Sequence, residues 1–363
     1  MKPLKGLIHI VYPPAFVMGI YFMFINFIGA ISMIGDVNRA WSEYLSDGIV
    51  NIGFRTMNYN NIFVVSMFYC VGMLLLVYLQ FCHEKSIEIG RFIKALPYTN
   101  KQKATVKIIV GFLSFTIPYI VYVLVFLGVK NYTMDLWTEA YQVTAYEEII
   151  GYLNSSTTYL SFMYIAYLRI AIVYLIFVLW QYGVSHNVGS LLIGCGSILA
   201  PVYIMISLVD TLNDTSYMEK IQYGLEQIYL GIGGYGEVYS TNMPYEEFTY
   251  LLTKQNPKFV CIYIVILLIL SSLISLQIDK QRLELNDILM PQKIVRTIFI
   301  VGIALCGGCL IKDIMNILLD EVFMIYSKLL LTLFFVIGCG ISGLIAFKIA
   351  HIGIQKKGVK YER

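Results

Sequence analysis

The chain has 363 residues, 58% of them apolar and only 13% charged, with a net charge of +3. A soluble domain carries about 25% charged residues, so a water-soluble globule is excluded, and no nucleic-acid partner is expected. Several apolar runs reach about 20 residues, enough to cross a ~30 Å hydrocarbon core at 1.5 Å per residue.

The fold class read from this is all-α: a polytopic helical membrane protein with about eight transmembrane helices and amphipathic helices on both sides of the bilayer. The spans are predicted at 14–34, 61–81, 106–127, 159–183, 188–208, 259–277, 296–313 and 327–348. Near the N-terminus, Leu4, Leu7, Ile8 and Val11 predict a short amphipathic start, which Pro13-Pro14 separates from the first span. No small-residue cleavage site follows that first apolar run, so no cleaved signal peptide is expected.

Between the second and third spans lies a basic amphipathic segment, Glu84 to Lys101. Ile89, Phe92, Ile93 and Leu96 fall at i, i+3, i+4 and i+7, one stripe of a helix. Lys85, Glu88, Arg91 and Lys94 take the other faces, and Pro97 ends the helix because it disfavours a helical residue before it. A protein that only spans the bilayer has no use for such a structured tip, whereas one that receives force from a soluble partner does.

Further along, Pro118 in the third span and Pro201 in the fifth should kink their helices and free a carbonyl, which suits a hinge, although proline is common in membrane helices. Leu136, Ala140, Val143 and Ile150 suggest one amphipathic helix, and Tyr217, Ile221, Leu225 and Ile228 suggest another before the turn Gly231-Ile232-Gly233-Gly234. These either cap the bundle at the interface or simply fill long loops. Arg169 is the one charge read as lying well inside a span, which makes it a functional candidate. It either faces the bundle interior and attracts an anionic substrate group, or pairs with carbonyls and acids such as Asp210 or Asp313. Cys306 and Cys309 form a C-x-x-C inside the seventh span and are read as packing residues, since no His or carboxylate completes a metal site. The four histidines have no metal-ligand spacing, and neither a nucleophile–base motif nor a phosphate-binding G-x-x-x-x-G-K-[ST] occurs. The chain is therefore not expected to be an enzyme, nor to hydrolyse ATP by that route itself.

Orientation follows from Lys and Arg. With the N-terminus inside, 17 fall in inner segments and eight in outer ones, so both termini are predicted to be cytoplasmic. The two largest inner loops also echo one another, Glu84-Lys85-Ser86-Ile87-Glu88-Ile89 and Asp279-Lys280-Gln281-Arg282-Leu283-Glu284-Leu285, which predicts that both touch a cytosolic partner.

The run Glu84-Lys85-Ser86, then Phe92-Ile93-Lys94-Ala95-Leu96-Pro97, then Asn100-Lys101-Gln102-Lys103 ahead of the third span, resembles the permease subunit of a type-2 ABC exporter. The resemblance is specific over about 80–127 and general, through span order, over about 1–277. It implies that Glu84, Lys85, Ile89, Arg91, Phe92, Ile93, Lys94, Leu96 and Pro97 form a coupling helix docking on a separate nucleotide-binding subunit. ATP and Mg would then sit on that partner, with no cofactor on this chain, and a second permease copy or paralogue would complete a dimer in the cell membrane. The family core has six spans, so residues 1–277 match it, while 278–363 add a cytosolic loop, two spans and a basic tail that resemble an extension in some Gram-positive members.

The expected function is outward movement of an amphipathic substrate, such as a peptide, lipid or drug. Arg169, Pro118 and Pro201 are the candidate pathway residues. A membrane sensor or immunity subunit that binds an extracellular peptide without transport is the first alternative, and an ion-coupled secondary transporter the second. The latter wants midplane ionisable groups, of which the sequence offers only Arg169.

Overall fold

A computed structural model describes residues 4–47, 52–82, 84–85, 95–132, 156–212, 257–278, 289–290, 292–319 and 328–352. Among these the regular structure is helical: α1 (Leu4–Asp47), α2 (Ile52–Phe81), α3 (Asn100–Tyr132), α4 (Ser156–Gly183), α5 (Asn187–Leu212), α6 (Pro257–Ile278), α7 (Lys293–Ile317) and α8 (Lys328–Ala350). All eight are long and apolar enough to cross a membrane. The protein is a polytopic helical membrane protein. The predicted amphipathic helices at 136–150 and 217–228 lie outside the described residues.

Helix ends depart from the hydropathy reading. Pro13 and Pro14 do not separate two elements; α1 runs through both, for 44 residues. Proline removes only its own N–H, so the carbonyls of His9 and Ile10 lose in-helix donors while the remaining ladder holds the helix together. At the start of α3, Thr99 and Gln102 form a reciprocal cap. The Gln102 amide donates to Thr99 Oγ1 at 3.2 Å, and the Thr99 amide donates to Gln102 Oε1 at 3.0 Å. Two otherwise orphan donors are satisfied this way.

The chain divides into two compact units. One holds Met1–His83, Lys94–Ile176 and Ile232–Ser275; the other holds Glu84–Ile93, Phe177–Gly231 and Leu276–Arg363.

The first unit is built on aromatic packing. Phe112, Phe115, Tyr119, Tyr122 and Phe126 recur at alternating spacings of three and four along α3, so they share one face. Phe115, Tyr122 and Phe126 are completely buried. Phe22 of α1 stacks on Tyr69 of α2 with ring centres 4.6 Å apart, and Tyr69 meets Tyr119 edge-on at 5.5 Å. Tyr174 of α4 packs on Phe112 and Phe115.

Polar pegs fix this packing, because lipid provides no hydrophobic drive between helices. Asn26 Nδ2 donates to the Pro118 carbonyl at 2.7 Å, and Tyr69 donates its hydroxyl proton to Asn26 Oδ1 at 2.9 Å. Asn61 repeats the device, donating to the Gly29 carbonyl at 2.9 Å while accepting from the Tyr122 hydroxyl at 2.9 Å. Tyr174 donates to Gln80 Oε1 at 3.2 Å. This last bond requires Gly111, since a Cβ there would collide with the Tyr174 hydroxyl and lie 2.7 Å from Gln80 Nε2.

In the second unit α7 and α8 meet through small residues. A Cβ on Gly338 would lie 2.9 Å from the Gly307 carbonyl, and one on Gly343 would lie 3.4 Å from Ala304 Cβ. Bare backbones approach closely there, the usual way apolar membrane helices gain dispersion contact.

Candidate functional site

After Phe81 the chain makes a last turn, with the Cys82 amide donating to the Tyr78 carbonyl at 2.9 Å, and then presents Glu84 and Lys85, both half-buried. Lys85 Nζ donates to the Val184 carbonyl at 2.7 Å and reaches Ser190 Oγ at 3.4 Å. Both acceptors have a local cause. The last carbonyls of a helix lack in-helix donors, and Val184, whose amide still bonds to the Trp180 carbonyl at 2.9 Å, is the residue that closes α4. A cation at that position also suits the negative end of the helix dipole. Ser190, in the first turn of α5, donates its own hydroxyl proton to the Asn187 carbonyl at 2.6 Å and so offers Lys85 a lone pair.

At the other end of the same link, Ala95 is helical, Leu96 is half-buried and Pro97 is exposed. The Tyr98 amide folds back to the Leu96 carbonyl at 2.7 Å, and the Thr99 cap opens α3 two residues after the proline. Ile89, Arg91, Phe92, Ile93 and Lys94 lie outside the described residues.

Arg169 is half-buried on α4. Its Nε donates to the Tyr263 hydroxyl of α6 at 2.9 Å, and its guanidinium carbon lies 5.5 Å from that ring's centre. Asp313 is engaged elsewhere, and the Asp210 side chain lies outside the description. Pro118 is buried within a continuous α3, and its carbonyl is the one Asn26 binds. Pro201 lies inside α5, half-buried, two residues before Tyr203.

Arg169 is not alone as a charge within the helices. Because α7 continues to Ile317, Lys312 and Asp313 fall inside it rather than at its mouth. Lys312 is buried and pairs with Asp313 at 2.9 Å, and it also donates to the Ser207 carbonyl of α5. Asp313 accepts from the Tyr203 hydroxyl at 2.8 Å and the Ser207 hydroxyl at 2.9 Å. On α3, Lys130 is buried, donates to Ser156 Oγ at 3.2 Å and lies 5.1 Å over the Tyr159 ring. Lys107 is buried 4.2 Å over Phe81. Each long side chain covers apolar surface while its head finds a π face, a carbonyl or a carboxylate.

The Lys312–Asp313 partnership with α5 was not legible beforehand, since nothing in spacing relates positions about a hundred residues apart. The Thr99–Gln102 cap, Asn26 and Gln80 did leave a signal: a T-x-x-Q before an apolar run, and carboxamides within apolar runs, whereas Asn61, beside Asn58 and Asn60, reads only as the polar edge of its span. Among the described residues no three His, Cys, Asp or Glu side chains are placed to hold a metal ion. No family model, curated protein or solved structure matches the chain.

Proposed function

We propose that the chain is the permease subunit of an ATP-driven exporter of the type-2 ABC kind. It would lie in the cell membrane with both termini cytoplasmic and pair with a second copy or a paralogue. Separate ATPase subunits, carrying the ATP and Mg, would dock on the 85–97 segment, and an amphipathic substrate would leave outward. The observation that carries this reading is the grip of Lys85 on Val184 and Ser190. A passive hairpin tip would leave its lysine in water; this one spends it on the end of another helix, as a part that transfers force requires. The aromatic interior of the first unit also suits an amphipathic cargo. Replacing Leu96 or Phe92 by Asp puts a charge on the docking stripe. Either variant should still insert in the membrane yet lose the ATPase on co-purification by at least about tenfold, the equivalent of 1.4 kcal/mol. An intact complex with full coupling would count against the assignment.

An ion-coupled transporter is favoured by one observation, the buried Lys312–Asp313 pair. Yet Asp313 already accepts from Tyr203, Ser207 and Lys312, which fits a clamp better than a vacant ion site. Uptake into vesicles driven by a proton gradient with no ATPase present would favour that second reading.

A further inference from the structure

The second and third spans are the obvious levers for a segment that lies between them, but the hydrogen bonds lead elsewhere. Lys85 holds the junction of α4 and α5 through Val184 and Ser190. One residue further, the Ser185 amide donates to the Leu289 carbonyl at 3.0 Å, and the Leu289 amide donates to the Ile352 carbonyl at 3.3 Å, just past α8. A continuous backbone path thus runs from the Lys85 ammonium through the α4–α5 turn and the α6–α7 link to the end of the last span. Along the helices, the Lys312–Asp313 pair with Tyr203 and Ser207 clamps α7 to α5, and the small-residue contact joins α7 to α8. All these residues belong to the compact unit that contains Glu84–Ile93.

The same unit carries buried polar atoms without hydrogen-bond partners: Gln181 Oε1 at the end of α4, Asn187 Oδ1 at the start of α5, Gln277 Oε1 at the end of α6 and Arg296 Nε at the start of α7. All four lie at helix ends flanking the α4–α5 and α6–α7 links.

We infer that Lys85 is the handle of a lever made of α5, α7 and α8, so that a displacement of Lys85 is delivered to these three helices together. The last two spans are then part of the moving piece rather than an appendage. This rests on the permease reading, with Lys85 as a positioning residue that acts through the α4–α5 junction.

Two readouts of Lys85→Met separate the lever from that reading. In the full chain alone, in lipid nanodiscs, amide exchange at Ser185 and Leu289 should quicken by about tenfold, since a hydrogen bond to a charged group is lost and local opening becomes easier. Exchange in α2 and α3 should not change. Lys85→Arg, which keeps the charge, should restore protection. In proteoliposomes with the ATPase, substrate efflux per ATP hydrolysed should fall about tenfold in the Met variant, with Arg recovering most of it. Unchanged exchange at Ser185 and Leu289 overturns the lever itself. Quickened exchange with undiminished efflux overturns its role in transport. A wild-type chain that binds no ATPase overturns the permease reading, and with it the lever's task, while the exchange result still decides whether the junction exists.

Discussion

Asn26 joins three helices with one carboxamide. Its nitrogen serves α3 through the Pro118 carbonyl and its oxygen serves α2 through Tyr69. Asn26→Leu keeps the volume and removes both bonds, stranding the buried Tyr69 hydroxyl, while the Pro118 carbonyl keeps only its in-helix donor. Membrane hydrogen bonds are each worth about 0.6–2 kcal/mol, so a loss of roughly 1–3 kcal/mol is expected. Unfolding in detergent micelles measures it, and Tyr69→Phe should recover part of the loss when combined with it, because the stranded hydroxyl is then gone. Additive effects of the two changes would contradict a shared bond. The importance of residue 26 was legible only as chemistry, an isolated Asn in an apolar run. Its partners were not, since hydropathy reports depth in the bilayer but not the direction a side chain faces. Arg169 shows the same limit: the sequence marked the charge, but not that the Tyr263 hydroxyl of another span is one of its partners.

At the level of helices, eight spans were legible because every backbone group in lipid must bond within its own helix, which makes apolar length a reliable sign. Their ends were not. Polar residues after Asp36 and before Asn61 read as loop, yet α1 runs to Asp47 and α2 begins at Ile52. Lys312 and Asp313, at the end of the predicted span, stand inside the longer α7 and against α5. That contact has its own energetic signature. Removing Asp313 alone strands a buried ammonium, so Asp313→Leu should destabilise by about 3–5 kcal/mol. The double change Lys312→Met with Asp313→Leu should cost much less, because no uncompensated charge remains. A thermal-stability cycle of the four proteins checks this. Equal losses in the single and double variants would mean that the pair does not act as a unit.

For the whole chain, the order of spans invites a division into a six-span core and a two-span addition, and that division makes its own forecast. If residues 1–277 were self-sufficient, a truncated chain would fold with little loss. The contacts argue otherwise. Cutting after 277 removes the acceptor for Tyr203 and Ser207, the Leu289 carbonyl that receives the Ser185 amide, and the helix on which α5 is clamped. Each stranded polar group in lipid costs on the order of 1 kcal/mol, and three of them take a sizeable share of the 5–15 kcal/mol that holds a typical protein folded. The truncated chain should therefore reach the membrane but purify in much lower monodisperse yield and melt well below the full protein. Supplying 278–363 as a separate polypeptide should restore both, since the lost bonds lie between helices and need no covalent link. A truncated chain as stable as the full one would show that α7 and α8 are carried by the core rather than built into it.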